Sequence, residues 1–306
     1  MDMRRLEILR ELSERGTVGA VADAMKVTPS AVSQQLKVLE REAGYVLVEP
    51  AGRGVALTVA GQALAEAAAD IAVARERAEG RWREFMQQPA GRVTLTTFPT
   101  GGEMLLPGVF TRLAGRPDIE LECFDEDGVR VEFAELTPDH DIVLADSGGM
   151  VSAAWHQRGL QVVSLLSEPL DVALPEDHPL ARKATLSPSD VVGEAWIGVP
   201  HDYPYDRVLQ QVVVATGQPT RVLQRFADNG IIEAMVAAGH GIAILPRFTT
   251  REHGNGLVTR PMVGIRAKRE IAALLRPDRF ERPSVRAVVQ ALRDEARHVA
   301  DTHTSV

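Results

Sequence analysis

Ser30, Ser33, Gln34 and Lys37 recur at helical spacing within Thr28-Pro29-Ser30-Ala31-Val32-Ser33-Gln34-Gln35-Leu36-Lys37-Val38-Leu39-Glu40. Short hydroxyls, one amide and one cation are groups that reach base edges and phosphates of DNA. The same residues would also suit a plain solvated helix face. What distinguishes the two readings is the set of elements that must hold this face in place.

Thr28 has the hydroxyl of a good N-cap, and Pro29 falls at the first helical position, where its missing N–H costs nothing. Val32, Leu36 and Leu39 make the buried stripe of that helix. Just before it, Thr17 can cap a short helix, Val18 to Met25, with Val21, Ala22 and Met25 pointing inward. Lys26-Val27-Thr28 is then a three-residue turn without glycine. A short helix, a tight turn and a second helix with a polar outer face form a helix-turn-helix, whose second helix enters the major groove. Leu6, Ile8, Leu9 and Leu12 mark an earlier helix that ends near Gly16. After Gly44, Val46-Leu47-Val48 and Val55-Ala56-Leu57 read as two strands joined by the turn Pro50 to Gly54, a hairpin wing.

Gly16-Thr17-Val18, Val21-Ala22, Val27 to Lys37, Leu39-Glu40, Gly44 and Leu57-Thr58-x-Ala60-Gly61 together resemble the N-terminal domain of LysR-type transcriptional regulators. The resemblance implies that Thr28, Pro29, Ser30, Ser33, Gln34 and Lys37 meet double-stranded DNA, and that Arg53 at the wing tip meets phosphate or the minor groove. The family commonly has an arginine where this chain has Pro50, and an aromatic where it has Val48, which puts in doubt how firmly the wing holds DNA.

Bulk composition does not point to nucleic acid. Of 34 Lys+Arg and 42 Asp+Glu, residues 1–90 hold 12 and 13, a net of −1; the remaining 22 and 29 leave −7 for residues 91–306. A DNA-binding surface therefore requires Arg4, Arg5, Lys37 and Arg53 to be segregated from the acids. No apolar run approaches the roughly 20 residues that span a bilayer, and Met1-Asp2-Met3-Arg4-Arg5 leads into no signal-peptide core. A cytoplasmic protein without a membrane partner is expected. Cys123 is alone in the sequence and lies in an alternating run, Ile119 to Phe124. A small core residue and a redox group both remain open for it.

Thr58 can cap a long helix running to about Met86. Leu57, Ala60, Leu64, Ala67, Ile71, Ala74 and Ala78 are spaced alternately by three and four, the seam of a coiled coil. Trp82 and Phe85 extend it with a shift of phase. This helix should lead away from the small domain and pair with a second copy, with Leu64 and Ile71 at the contact, in a homodimer or homotetramer as the resemblance implies; the alternative is that the strip packs on its own chain. Gln87-Gln88-Pro89-Ala90-Gly91 is a hinge.

Strands then alternate with helices, which predicts an α/β region with mostly parallel sheets. The expected domains are a winged helix-turn-helix over 1–58, a linker helix over 59–89, and an effector-binding domain over 90–306. The last divides into lobe I (90–165 and 266–306) and lobe II (166–265), and resembles periplasmic solute-binding proteins. Val172 to Leu180 and Gly239 to Pro246 resemble segments of the LysR family's effector domain. The fold class is therefore α/β, preceded by an α-rich winged helix-turn-helix.

Small ligands sit between such lobes, at strand ends. Thr97-Phe98-Pro99-Thr100-Gly101-Gly102 follows a strand and opens a helix, so its free N–H groups and the helix dipole favour an anion. Phe98, Pro99, Thr100 and Gly101 are the lobe I candidates, with Ser147. His201, Phe226 and Asn229 are placed opposite, in lobe II. No catalytic cluster, metal-ligand spacing or cofactor motif is visible. The reading is a DNA-binding regulator, not an enzyme, responsive to a small anionic effector. The alternatives are a solute-binding module, an effector-insensitive DNA-binding protein and an enzyme fused to a DNA-binding domain.

Overall fold

The computed structural model describes residues 1–52, 54–86, 90–125, 132–147, 153–201, 203–251 and 256–304. Three helices come first: α1 (Met3–Arg15), α2 (Val18–Met25) and α3 (Pro29–Ala43). Each is capped by the side chain before it. Asp2 accepts from Arg4 N at 2.9 Å, Thr17 from Ala20 N at 3.1 Å, and Thr28 from Ala31 N at 3.2 Å. These caps satisfy backbone donors that have no intrahelical partner. The turn without glycine works because Lys26 itself adopts a left-handed conformation, φ 54°, at some cost in strain.

The wing is an antiparallel hairpin of β1 (Val48–Ala51) and β2 (Gly54–Leu57), with Ala51 opposite Gly54. Its turn is tighter than the Pro50–Gly54 turn read from sequence, because Pro50 pairs with Val55 inside the ladder. The linker helix α4 (Val59–Phe85) follows, capped by Thr58 through Gly61 N at 3.0 Å. Leu9, Leu12, Val21, Ala22, Val32, Leu36, Leu39 and Leu47 form one core, closed by Ala65 and Ala68 of α4.

The remaining elements are β3 (Gly91–Thr97), α5 (Pro99–Leu113), β4 (Ile119–Asp125), β5 (Ile142–Ser147), α6 (Ala153–Gln157), β6 (Gln161–Pro175), α7 (Pro188–Val191), β7 (Ala195–Gly198), α8 (Pro204–Thr216), β8 (Arg221–Arg225), α9 (Asn229–Ala237), β9 (Ala243–Pro246), β10 (Leu257–Arg260), β11 (Lys268–Leu275), α10 (Pro277–Phe280) and α11 (Pro283–Thr304). α5 runs unbroken through Pro107. One sheet has the order β4-β3-β5-β11-β6. The second half of β6 continues into another sheet, where it pairs with β9 and β10. β7 and β8 pair in parallel there, and a single bridge, Trp196 to Ile242, joins them to it.

One expectation is corrected. The sheets are mixed: β3 is parallel to β4 and β5, but β11 is antiparallel to β5 and β6. Physically, β6 and β11 are the two strands that cross between the lobes in opposite directions, so they cannot run parallel to each other. The linker helix α4 also packs on its own chain, on α1 and on α10. Adding a Cβ to Gly80 would place it 2.8 Å from Glu281 O, so only glycine permits that approach.

The proposed seam is left uncovered from Ala67 onward. Ala67, Ile71, Ala74, Ala78, Trp82 and Phe85 are all exposed, and the Trp82 and Phe85 rings stack at 5.6 Å. Leu57, Ala60 and Leu64 differ: they are half-buried against the N-terminal core.

Candidate functional site

On α3, Val32, Leu36 and Leu39 are buried while Thr28, Pro29, Ser30, Gln34 and Lys37 are exposed; Ser33 is half-buried. Thr28 and Ser30 share a hydroxyl hydrogen bond of 3.0 Å. Gln35 lies outside the presented face, and its Oε1 accepts from Arg5 Nε at 2.9 Å. Arg5 also pairs with Glu42 at 2.5 Å, so this cation is engaged within the domain. Glu40 is a positioning group that sequence reasoning passed over. Its carboxylate accepts from Leu47 N and Val48 N at 2.9 and 3.2 Å, which ties the start of the wing to α3. Arg53 lies outside the described residues.

The second candidate site gathers around a residue that sequence reasoning missed. Arg269, at the start of β11, is 1% exposed. Its guanidinium donates to Glu168 at 2.7 Å, to Asp146 at 2.9 Å and to the Thr100 hydroxyl at 2.9 Å. It lies 5.1 Å from the centre of the Phe98 ring and 5.5 Å from that of Tyr205, positions that favour a cation. Arg269 and Glu168 face each other in the β11–β6 ladder where both strands cross between the lobes. Glu168 also accepts from Phe248 N at 2.9 Å. Tyr205 belongs to lobe II and is hydrogen-bonded by Asn229.

Charge follows from this packing. Burial pushes the Asp146 carboxyl above the ordinary carboxylate range, and the neighbouring Arg269 only partly offsets it. Despite its own burial, Arg269 stays firmly protonated, held by Glu168, Tyr205 and Asp146.

Of the residues predicted for this site, the cluster contains Phe98, Thr100 and Asn229. The Thr100 hydroxyl is not an open acceptor as expected, since Arg269 already donates to it. Gly101 packs under the Phe98 ring, where a Cβ would lie 2.6 Å from a ring carbon. Pro99 is exposed and Ser147 half-buried at the end of β5. Phe226 packs against the lobe II core. His201 is well exposed and turns toward Asp206, 3.4 Å away, which in turn holds Arg225 at 2.7 Å. A signal for Arg269 was present: a charged run, Lys268-Arg269-Glu270, leads directly into the apolar strand Ile271 to Leu275. Among the described residues no group of three or more His, Cys, Asp or Glu could hold a metal.

Cys123 is half-buried on β4 and packs against the lobe I core. Burial pushes its thiol up to about 11, so it is protonated at neutral pH and a poor nucleophile.

A winged helix-turn-helix joined through a long helix to a two-lobed α/β domain defines a DNA-binding regulator with an effector-binding domain. Residues 3–62 match the family described as bacterial regulatory helix-turn-helix protein, lysR family, and residues 86–297 match the LysR substrate binding domain. The chain belongs to the LysR family of transcriptional regulators. It is 25% identical over 312 residues to the hydrogen peroxide-inducible genes activator of Pectobacterium carotovorum subsp. carotovorum, covering 99% of each chain. It is 27% identical over 265 residues to the transcriptional activator protein LysR of Escherichia coli, covering 85% of this chain and 82% of that one. A cysteine-to-aspartate variant of full-length OxyR from Pseudomonas aeruginosa shares the fold, with TM-score 0.63 and 22% identity over 97% of this chain and 95% of that one. No described helix is long and apolar enough to cross a membrane.

Proposed function

We propose that α3 enters the major groove of double-stranded DNA with Ser30, Gln34 and Lys37 foremost, and that the cluster around Arg269 receives a small anionic effector between the lobes. The observation that carries the first part is the division of α3 into a fully buried apolar face and an exposed polar one. Gln34 suits an adenine edge, and Lys37 a guanine edge or a phosphate. Thr28, Pro29, Ser33 and Arg53 support the same contact. The chain works as a regulator in the cytoplasm, not as a catalyst, and pairs with itself through α4 in a homodimer or homotetramer.

Replacing Gln34 by Ala should weaken specific binding by about 1–3 kcal/mol and relax the preference for sequence, leaving nonspecific binding nearly unchanged. Selection from a random DNA library with wild type and Q34A measures both. A Q34A protein that is folded and selects the same sites with the same affinity refutes the assignment of this face.

For the effector, the N–H groups of Thr100 and Gly101 open α5 without intrahelical partners, and Arg269 supplies a buried cation. The Thr100 hydroxyl accepts from Arg269 and keeps its own proton to donate. Asp146, already pushed toward its neutral form, frees one side of Arg269 when protonated. A carboxylate or oxyanion effector then takes its place, so binding should tighten as pH falls toward the raised Asp146 value. A thermal-shift screen of small carboxylates and oxyanions should find a ligand that stabilises the chain by about 2.7 kcal/mol at 100 times its Kd. Thr100→Val should weaken that ligand by about 10- to 150-fold. Stabilisation by neutral or cationic compounds alone, or indifference to Thr100→Val, counts against an anion at this place.

A further inference from the structure

α1 carries two faces with different work. Leu6, Leu9 and Leu12 close the N-terminal core, whereas Arg10, Glu11, Glu14 and Arg15 are not needed to build a helix-turn-helix. They meet lobe I of the same chain. Arg10 pairs with Asp278 at 2.9 Å; Glu11 and Glu14 each pair with Arg276 at 2.9 Å. Arg15 reaches Asp139 at 2.8 Å and donates to Pro138 O at 3.1 Å. Arg10, Glu11, Arg276 and Asp278 expose at most 10% of their side chains. A buried ionic cluster adds little stability over an apolar contact of equal volume, but it tolerates only one geometry. Its presence between two domains therefore points to orientation.

The partners on lobe I adjoin the ends of the strands that also build the cleft: Arg276 and Asp278 follow β11, and Asp139 precedes β5. β11 carries Arg269 in the cleft as its second residue and ends at Leu275, beside Arg276; seven residues of strand span about 23 Å. Its neighbour β5 ends at Asp146 and Ser147, and the segment leading into it holds Asp139 and Asp141. Asp141 is bound in turn by Arg279 and Arg282, from the end of α10 and the start of α11. The linker helix is fastened to the same corner by Arg77 to Glu281 at 2.7 Å and by Glu84 to Arg286.

We propose that this second face of α1 is a docking surface for the chain's own lobe I, and that its ion-pair cluster is the joint through which the cleft sets the angle of the recognition helix. The docking stands on its own; its link to the cleft rests on the effector reading above. The two arrangements are α1 docked and α1 released, and the cleft biases them through β5 and β11.

Hydrogen exchange on the full chain, without DNA or effector, tests it. In the wild type, amides of residues 8–15 should be protected to the level of residues 271–282. Arg276→Met removes the lobe I cation from Glu11 and Glu14, leaving Glu11 paired only within α1, with Arg10 and Arg15, and should speed exchange over 8–15 by about tenfold, with α3 still protected. Should that variant not fold, Asp139→Ala at the more exposed rim should act in the same direction by a smaller factor. Asp146→Asn in the cleft should change exchange over 8–15 in the wild type and have no effect there once Arg276→Met has released the joint. Unchanged exchange over 8–15 in both joint variants overturns the docking. A full response to Asp146→Asn despite Arg276→Met, or none in the wild type, overturns the joint. Failure of every anion to bind would refute the effector reading while leaving the docking result in place.

Discussion

Arg269→Met is expected to lower the stability of the two-lobed domain by about 3–5 kcal/mol, the cost of removing one partner from a buried ion pair. Methionine fills much of the volume of the arginine stem but carries no charge. Glu168, whose side chain is fully buried, would keep Phe248 N as a donor but lose its cation, and Asp146 would lose its counter-ion. The Phe98 and Tyr205 rings would also lose the cation between them. Urea unfolding followed by a signal from the lobes, such as Trp196 fluorescence, measures the loss. Adding Glu168→Gln and Asp146→Asn to the same chain should recover much of it, because the penalty lies in the stranded carboxylates more than in the missing arginine. A loss below about 1 kcal/mol for Arg269→Met alone would mean that water reaches the cluster and compensates for the missing charge.

Ile71→Asp combined with Phe85→Asp is expected to weaken self-association through α4 by about two orders of magnitude. Phe85 is 75% exposed in the single chain; Ile71 is 37% exposed and borders Met3 and Leu6 of α1, so it is the Phe85 substitution that leaves the chain's own core untouched. In a paired helix the same positions would be covered, and each carboxylate would be buried without a partner. A cost of about 3 kcal/mol for the pair of substitutions raises the dimer Kd about 150-fold. Operator affinity should fall with it, since two linked recognition helices bind far more tightly than one. Sedimentation at several concentrations distinguishes the outcomes. Unchanged association would place the contact between copies elsewhere. Leu64, although it lies on the same seam, is a poorer probe, because it also packs against the N-terminal core and its replacement would confuse unfolding with dissociation.

Local chemistry made much of the N-terminal domain legible from the amino-acid sequence. Thr17, Thr28 and Thr58 cap the helices they precede because a short hydroxyl can satisfy a first-turn N–H whatever the rest of the chain does. Val32, Leu36 and Leu39 face inward because their spacing matches the helical period. The strand-and-helix alternation after residue 90 was readable for the same reason, as was Thr97 to Gly102 as the opening of a helix.

What tertiary structure decided involves partners distant in sequence. Glu168 and Arg269 are 101 residues apart and pair only because both crossing strands pass through one ladder. Their meeting also makes the sheet mixed where alternation suggested parallel strands. The Thr100 hydroxyl, open in the sequence, is taken up by a guanidinium 169 residues away. Arg10 and Asp278 are 268 residues apart, and no period in α1 reveals that its charged face docks rather than meets water. Propensity and periodicity act over one or two turns of chain, so they determine which elements form and which side each buries. Which buried charge answers which, and hence what the cleft and the recognition helix have to do with each other, depends on how those elements pack.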